Sequence, residues 1–244
     1  MTSSGQIPIF AISLDDATER RAALSDAMAE LGLAFEFIDA IDGRAGLPQG
    51  FEPQVDRAGA SQALGRAMTD AEFACALSHI RVYEKVVTGE ATHALILEDD
   101  AIPLPGLRDF VHQGGARAAP LVLLHHLNAR VLKGTGRDIG GGLVAHDLAV
   151  PCFRAAAYSV SKDAARHLKD LNTPVSAPAD WPGDITRIKA AVVLPEIVSH
   201  PPENPGQSTL TPSGRTRSRP RLSRFLDPNY ARRILRKMKS EKVS

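Results

Sequence analysis

His93-Ala94-Leu95-Ile96-Leu97-Glu98-Asp99-Asp100-Ala101 joins an apolar run of strand length to three consecutive carboxylates. Unbroken apolar runs belong to strands covered on both faces, and open α/β sheets collect ligands at the carboxyl ends of their strands. Adjacent acids repel one another, and a carboxylate withdrawn from water is costly unless paired or bound to metal. A divalent cation resolves both problems, because Mg²⁺ and Mn²⁺ prefer carboxylate oxygens and bridge to phosphates. The alternative is an acidic surface turn after a strand. The nine residues leave both open.

On either side of this segment the chain alternates strand and helix signals. Ile7 to Leu14 is apolar and strand-like, Asp15 to Thr18 supplies capping residues, and Glu19 to Leu31 has helical spacing closed by Gly32. Leu33 to Ile38 completes a β-α-β unit, the building block of a mainly parallel sheet. Arg20 and Arg21 lie in the first helical turn, where a cation can meet a phosphate or simply face water. Residues 45–67 are rich in Gly and weakly periodic, so a loop with a short helix is expected. Thr69-Asp70-Ala71-Glu72 is a capping box, and Phe73, Ala76, Leu77, Ile80, Tyr83 and Val87 follow at helical spacing. Ser78 and His79 lie on that helix, where a histidine is more often structural than a ligand.

Beyond the acids, Leu121 to Leu124 and the end of Val150 to Val160 are strand-like, and a helix follows from Ser161. The glycine-rich stretch 129–142 is expected to be a mobile loop. Pro174 to Gly183 is a proline-studded loop bearing Asp180 and Trp181, and Ala190 to Val198 leads to Ser199-His200.

The bulk composition is that of an ordinary soluble protein, 43% hydrophobic and 23% charged over 244 residues. No apolar stretch approaches the roughly 18–20 residues of a spanning helix. The first six residues lack the features of a secretory signal. Cys75 and Cys152 suggest neither a disulfide framework nor a metal-ligand spacing, so a reduced, cytoplasmic compartment is the expectation.

Charge is unevenly spread. From Gly214 to Ser244 eleven Lys/Arg face two acids, so this tail carries +9 and the overall +1 leaves −8 for residues 1–213. Thr211 to Pro220 has the composition of a disordered segment. After Asp227, residues Tyr230, Ile234, Leu235 and Met238 gather on one helical face among Arg and Lys, the pattern of a basic amphipathic helix on an anionic membrane. Apart from Phe225 and Tyr230 the tail lacks interleaved aromatics, which argues against single-strand nucleic-acid binding.

Four segments together resemble glycosyltransferase family 25, which includes bacterial lipopolysaccharide glycosyltransferases. They are Ile12-Ser13-Leu14-Asp15 with Glu19-Arg20-Arg21; Phe37 to Gly43; Glu72 to His79 running into Ala94 to Ala101; and Ala157 to Ser161 followed by Asp180-Trp181-Pro182. The resemblance implies a GT-A-like single α/β domain over residues 1–213, with a mixed, largely parallel sheet flanked by helices, and a basic C-terminal tail over 214–244.

The resemblance also implies roles. The acidic triplet is similar to a DxD-type site, although it reads Glu-Asp-Asp, and would place Asp100 and Glu98 on Mn²⁺ or Mg²⁺ with Asp99 at the metal or ribose. Leu14, Arg20, Arg21, Ser78 and His79 would line the nucleotide, and His200 would be a further metal ligand. Asp180 would be the catalytic base, with Trp181 stacking on a sugar. Ala71 and Ala74 stand where the family has glycines.

The expected activity is metal-assisted, inverting transfer of galactose or glucose from a UDP-sugar to a saccharide of lipopolysaccharide or a lipid-linked glycan. The enzyme would be cytoplasmic and peripheral on the inner face of the membrane. Two rivals stand beside it. One is a metal-dependent nucleotidyl- or phosphotransferase using the same acids. The other is a non-catalytic adaptor held to membrane or nucleic acid by the tail.

Overall fold

The computed structural model of the chain describes residues 7–201 and 228–244. Its first elements are β1 (Ile9–Ser13), α1 (Thr18–Glu30), β2 (Glu36–Asp39), α2 (Arg57–Leu64), α3 (Asp70–Thr88) and β3 (His93–Glu98). Next come β4 (Ile102–Pro103), α4 (Gly106–His112), β5 (Leu121–Leu123), β6 (Arg130–Leu132), β7 (Arg137–Asp138) and β8 (Val144–Asp147). They are followed by β9 (Ala157–Ser161), α5 (Lys162–Leu171), β10 (Ala190–Leu194) and β11 (Val198–Ser199), and past residue 227 by α6 (Pro228–Met238) and β12 (Ser240–Lys242).

Eight strands form the main sheet in the order β2-β1-β3-β9-β5-β10-β8-β7. β1 is parallel to β2 and β3, and β5 is parallel to β10. β9 opposes both β3 and β5, and β8 opposes both β10 and β7. Six strands therefore run one way and two run against them. The fold is a mixed, largely parallel α/β sheet flanked by helices.

The central strand explains its own unbroken apolar run. Leu95 and Leu97 pack with Ala11, Leu24, Met28 and Phe110 on one face, while Ala94 and Ile96 pack with Phe10, Val82 and Tyr158 on the other. Side chains alternate across a strand, so an exposed face would have read as polar at every second residue.

Helix α3 starts where the capping box predicts. Thr69 Oγ1 accepts from the Glu72 N–H at 3.2 Å, and the Glu72 carboxylate accepts from the Thr69 N–H at 2.9 Å. Arg66 also grips both Glu72 oxygens. Burial alone would raise the Glu72 carboxyl, but Arg66 and Thr69 outweigh it and hold the group below its ordinary range. The stabilisation this brings is complete above the ordinary carboxylate value and disappears as pH falls through the lower folded value. Thr69→Ala should cost about 1 kcal/mol in urea unfolding at neutral pH. Wild type and Glu72→Gln should converge in stability in acid.

Gly43 lets the loop after β2 lie close against the start of α3. A Cβ on Gly43 would come within 2.7 Å of the Ala71 Cα and 2.8 Å of the Ala74 Cβ, so the glycine needed for close approach sits on the opposing loop.

Two expectations need correction. Residues 129–142 are not simply a mobile loop, because β6, β7 and the approach to β8 are built from this stretch. No side chain caps α1, despite Asp15 and Asp16 before it. The helix expected after Asp227 is present as α6, and the tail's end is fastened to the body. β12 pairs antiparallel with β6, and Arg236 of α6 donates to the carbonyls of Ala149 and Leu148 at 2.9 and 2.8 Å. The expected disorder of Thr211 to Pro220 lies outside the described residues.

Candidate active site

Parallel pairing brings the carboxyl ends of β2, β1 and β3 level, with Ser13 beside Asp39 and Ile12 beside Glu98. Ser13 Oγ donates to Asp99 Oδ2 at 2.7 Å, and Arg20 Nη1 lies 3.3 Å from Asp99 Oδ1. Asp99 is buried, and burial pushes its carboxyl up, while the Ser13 bond and Arg20 charge pull against that. The two arginines separate here. Arg21 is spent on structure, donating to Ser13 Oγ, the Leu14 carbonyl and Asp39. Arg20 keeps an open guanidinium beside the acids, 39% exposed, and is the better placed of the two for a phosphate.

Asp100 points to a different partner. His200 Nε2 lies 3.1 Å from Asp100 Oδ2, and Arg154 Nη1 lies 2.8 Å from His200 Nδ1. Burial would raise the Asp100 carboxyl, but His200 and Arg20 overcome it and hold it low, and Asp100 in turn raises His200. The His125 ring stacks on His200 with centroids 5.9 Å apart. Glu196 reaches the same group, accepting from the His126 N–H at 3.1 Å. Asp100 Oδ1 is buried with no hydrogen-bond partner among the described residues.

Glu98 turns the other way. Its Oε1 lies 3.1 Å from His79 Nε2, and His79 Nδ1 lies 2.7 Å from Tyr158 Oη. One turn before His79 on α3, Cys75 presents its sulfur to the same spot, and the three ligand atoms lie within 4.8 Å of one another. Ser78 does not face a ligand space. It accepts from the Ile41 N–H and donates to the Ala74 carbonyl, fastening the loop after β2 to α3.

Asp180 and Trp181 arrive from the loop before β10. Asp180 Oδ1 accepts from the Ala155 N–H at 2.9 Å. As a residue Asp180 is open to solvent, so the upward push from surrounding protein on its carboxyl is partial; Glu98's charge adds to it, and the Ala155 bond and His79 oppose it. Trp181 is buried against Tyr158, edge to face, with ring centroids 5.2 Å apart. Its indole N–H has no partner among the described residues, and its φ of 69° is left-handed. Arg154 shares that region with φ 84°. Left-handed backbone at large side chains is costly and gathers at functional sites.

These residues fit a divalent cation. Asp100 offers one carboxylate oxygen without a partner and a second beside a histidine nitrogen, the mixed O/N donor set that Mn²⁺ accepts. Cys75, Ser13, His125, Arg154 and Glu196 were not picked out as site residues from sequence. No local signal marks them: Arg154 and His200 are 46 residues apart, and Ser13 and Asp99 are 86 apart.

Residues 6–113, which hold β1, α3, the acidic triplet and α4, match the family model described as glycosyltransferase family 25 (LPS biosynthesis protein). Over these residues the chain is similar to glycosyltransferase family 25. A family-25 member of Drosophila pseudoobscura pseudoobscura is 35% identical over 105 residues, which cover 38% of this chain and 15% of that protein. One from Aedes aegypti is 35% identical over 99 residues, covering 38% and 16%. A rat relative named probable inactive glycosyltransferase 25 family member 3 is 28% identical over 103 residues, covering 38% and 17%. This chain thus matches about a sixth of the length of these relatives. Among solved structures, a glycosyltransferase involved in glycosylation of the major capsid of PBCV-1 aligns over 68% of this chain and 66% of its own, at 13% identity and TM-score 0.33.

Proposed function

We propose that this chain is a family-25 glycosyltransferase that transfers a hexose, galactose or glucose, from a UDP-sugar to a saccharide acceptor on lipopolysaccharide or a lipid-linked glycan, with inversion. The observation that carries the reading is Asp100, whose unpartnered buried oxygen and His200 neighbour stand at the carboxyl end of β3. Asp100 and His200 would hold Mn²⁺ or Mg²⁺, which stabilises negative charge on a departing diphosphate. Arg20 would hold a phosphate oxygen, and Asp99, fixed by Ser13, would keep Arg20 in place. Asp180 would take the proton from the attacking acceptor hydroxyl, and the Trp181 N–H would meet a sugar oxygen.

Incubating the purified chain with Mn²⁺ and a panel of nucleotide sugars tests this directly. Release of UDP with sugar transferred supports the reading. Release of pyrophosphate would favour a nucleotidyltransferase, and a chain that binds and hydrolyses no donor would defeat the enzyme reading altogether.

The same proposal places the protein on the inner face of the membrane through α6. Arg236 faces the body, whereas Ile234, Leu235 and Met238 are 42%, 59% and 75% exposed among Arg and Lys. Each cation near an anionic surface contributes ~1 kcal/mol. Sedimentation should therefore occur with vesicles containing anionic lipid, weaken with salt, and be lost in a Leu235→Glu/Met238→Glu double variant. Equal binding to neutral vesicles would count against it. Point changes are needed because deleting 228–244 would also strip β12 from β6.

A further inference from the structure

We infer that Cys75, His79 and Glu98 form a second metal site, built for a soft divalent ion of the zinc class and distinct from the hard-cation position at Asp100 and His200. Helix spacing sets up half of it. Cys75 and His79 are four residues apart, so they stack one turn above the other on the face of α3. The register of the sheet supplies the third donor, because Glu98 ends β3 at the level of that turn. Cys75 Sγ, a His79 ring nitrogen and a Glu98 carboxylate oxygen lie within 4.8 Å of one another. The 3.1 Å between His79 Nε2 and Glu98 Oε1 is close to the edge, about 3.3 Å, of a tetrahedron with zinc-like bonds.

The surroundings select the tautomer a metal needs. For Nε2 to bind an ion, Nδ1 must carry the proton, and Nδ1 lies 2.7 Å from Tyr158 Oη. Tyr158 passes its own proton on to Tyr83 Oη at 3.1 Å, so it can accept from His79. A ring nitrogen held in this way by an outer hydrogen bond is the usual support for a metal-binding histidine. The ring is also fixed by stacking against Tyr158, with centroids 5.9 Å apart and planes at 17°.

Charge points the same way. The Cys75 thiol stands among Glu98, Asp180 and Asp100, which together with burial push its proton affinity well up. A thiol in such a place neither ionises nor reacts unaided, and a bound dication is what brings it to the thiolate. Binding replaces the thiol proton, which leaves to solvent, by a sulfur–metal bond. One thiolate and one carboxylate then balance the two charges of the ion, and three protein ligands leave a position open.

Cobalt(II) alone is a suitable probe, since it occupies zinc sites and reports a bound thiolate as a near-ultraviolet charge-transfer band. The full chain, stripped with chelator and titrated with Co²⁺, should develop that band at one ion per chain, and Zn²⁺ should abolish it. Cys75→Ser should lose the band with an unchanged circular dichroism spectrum, whereas Cys152→Ser and Asp100→Asn should keep it. Failure of wild type to develop the band, or persistence of the band in Cys75→Ser, would overturn the site. Wild type that shows the band but binds no UDP-sugar would instead count against glycosyl transfer alone.

Discussion

Asp180→Asn is expected to lower kcat by ~10²–10⁴-fold while leaving donor binding near its wild-type value. The size follows from removing the proposed base, and the split between kcat and binding follows from where the residue sits. Asp180 is on the loop before β10, held by Ala155, and neither Arg20 nor His200 contacts it. The pH profile gives a second handle. Glu98 and the surrounding protein raise the Asp180 carboxyl above the ordinary 3.8, so the catalytically able form builds up only as pH climbs past that raised value. Rate should therefore rise with pH over that window, and the limb should vanish in the Asn variant. An Asp180→Asn enzyme with unchanged kcat would remove Asp180 from the chemistry.

Asp100→Asn is the complementary change, expected to weaken Mn²⁺ binding more than the roughly 10–100-fold typical of losing a merely supporting partner. Turnover should fall with it. The carboxylate supplies both the unpartnered oxygen and the oxygen beside His200, so no neighbour replaces it. Calorimetric titration of Mn²⁺ with UDP present reads the effect. Arg20→Ala should cost UDP affinity but not metal affinity, which separates the phosphate contact from the cation. Wild-type metal affinity in the Asn variant would dismiss Asp100 as a ligand.

Much of this arrangement is written locally. The apolar run before Glu98 and the Thr69–Glu72 box each declare an element through periodicity or capping, and both appear where expected. Residues brought together by pairing of distant strands carry no such mark. His200 meets Asp100 because β11 pairs with β4, two residues apiece, and strands that short leave no pattern. Ser-Glu-Lys at 240–242 is poor strand material, and only the exposed edge of β6 makes it one. Arg20 and Arg21 looked equivalent in sequence; which one remains available is decided by Asp39, on another strand.

The reversal of β9 has an evolutionary corollary. Because β9 begins at the edge where β3 ends, the incoming segment with Arg154 and Ala155 adjoins the outgoing acids while belonging to a separate stretch of backbone. Insertions or substitutions upstream of Ala157 can remodel one wall of the cleft without touching β1 or β3. Under the proposed function, acceptor selectivity can thus diversify through this segment while the strand that ends in the acidic triplet stays unchanged.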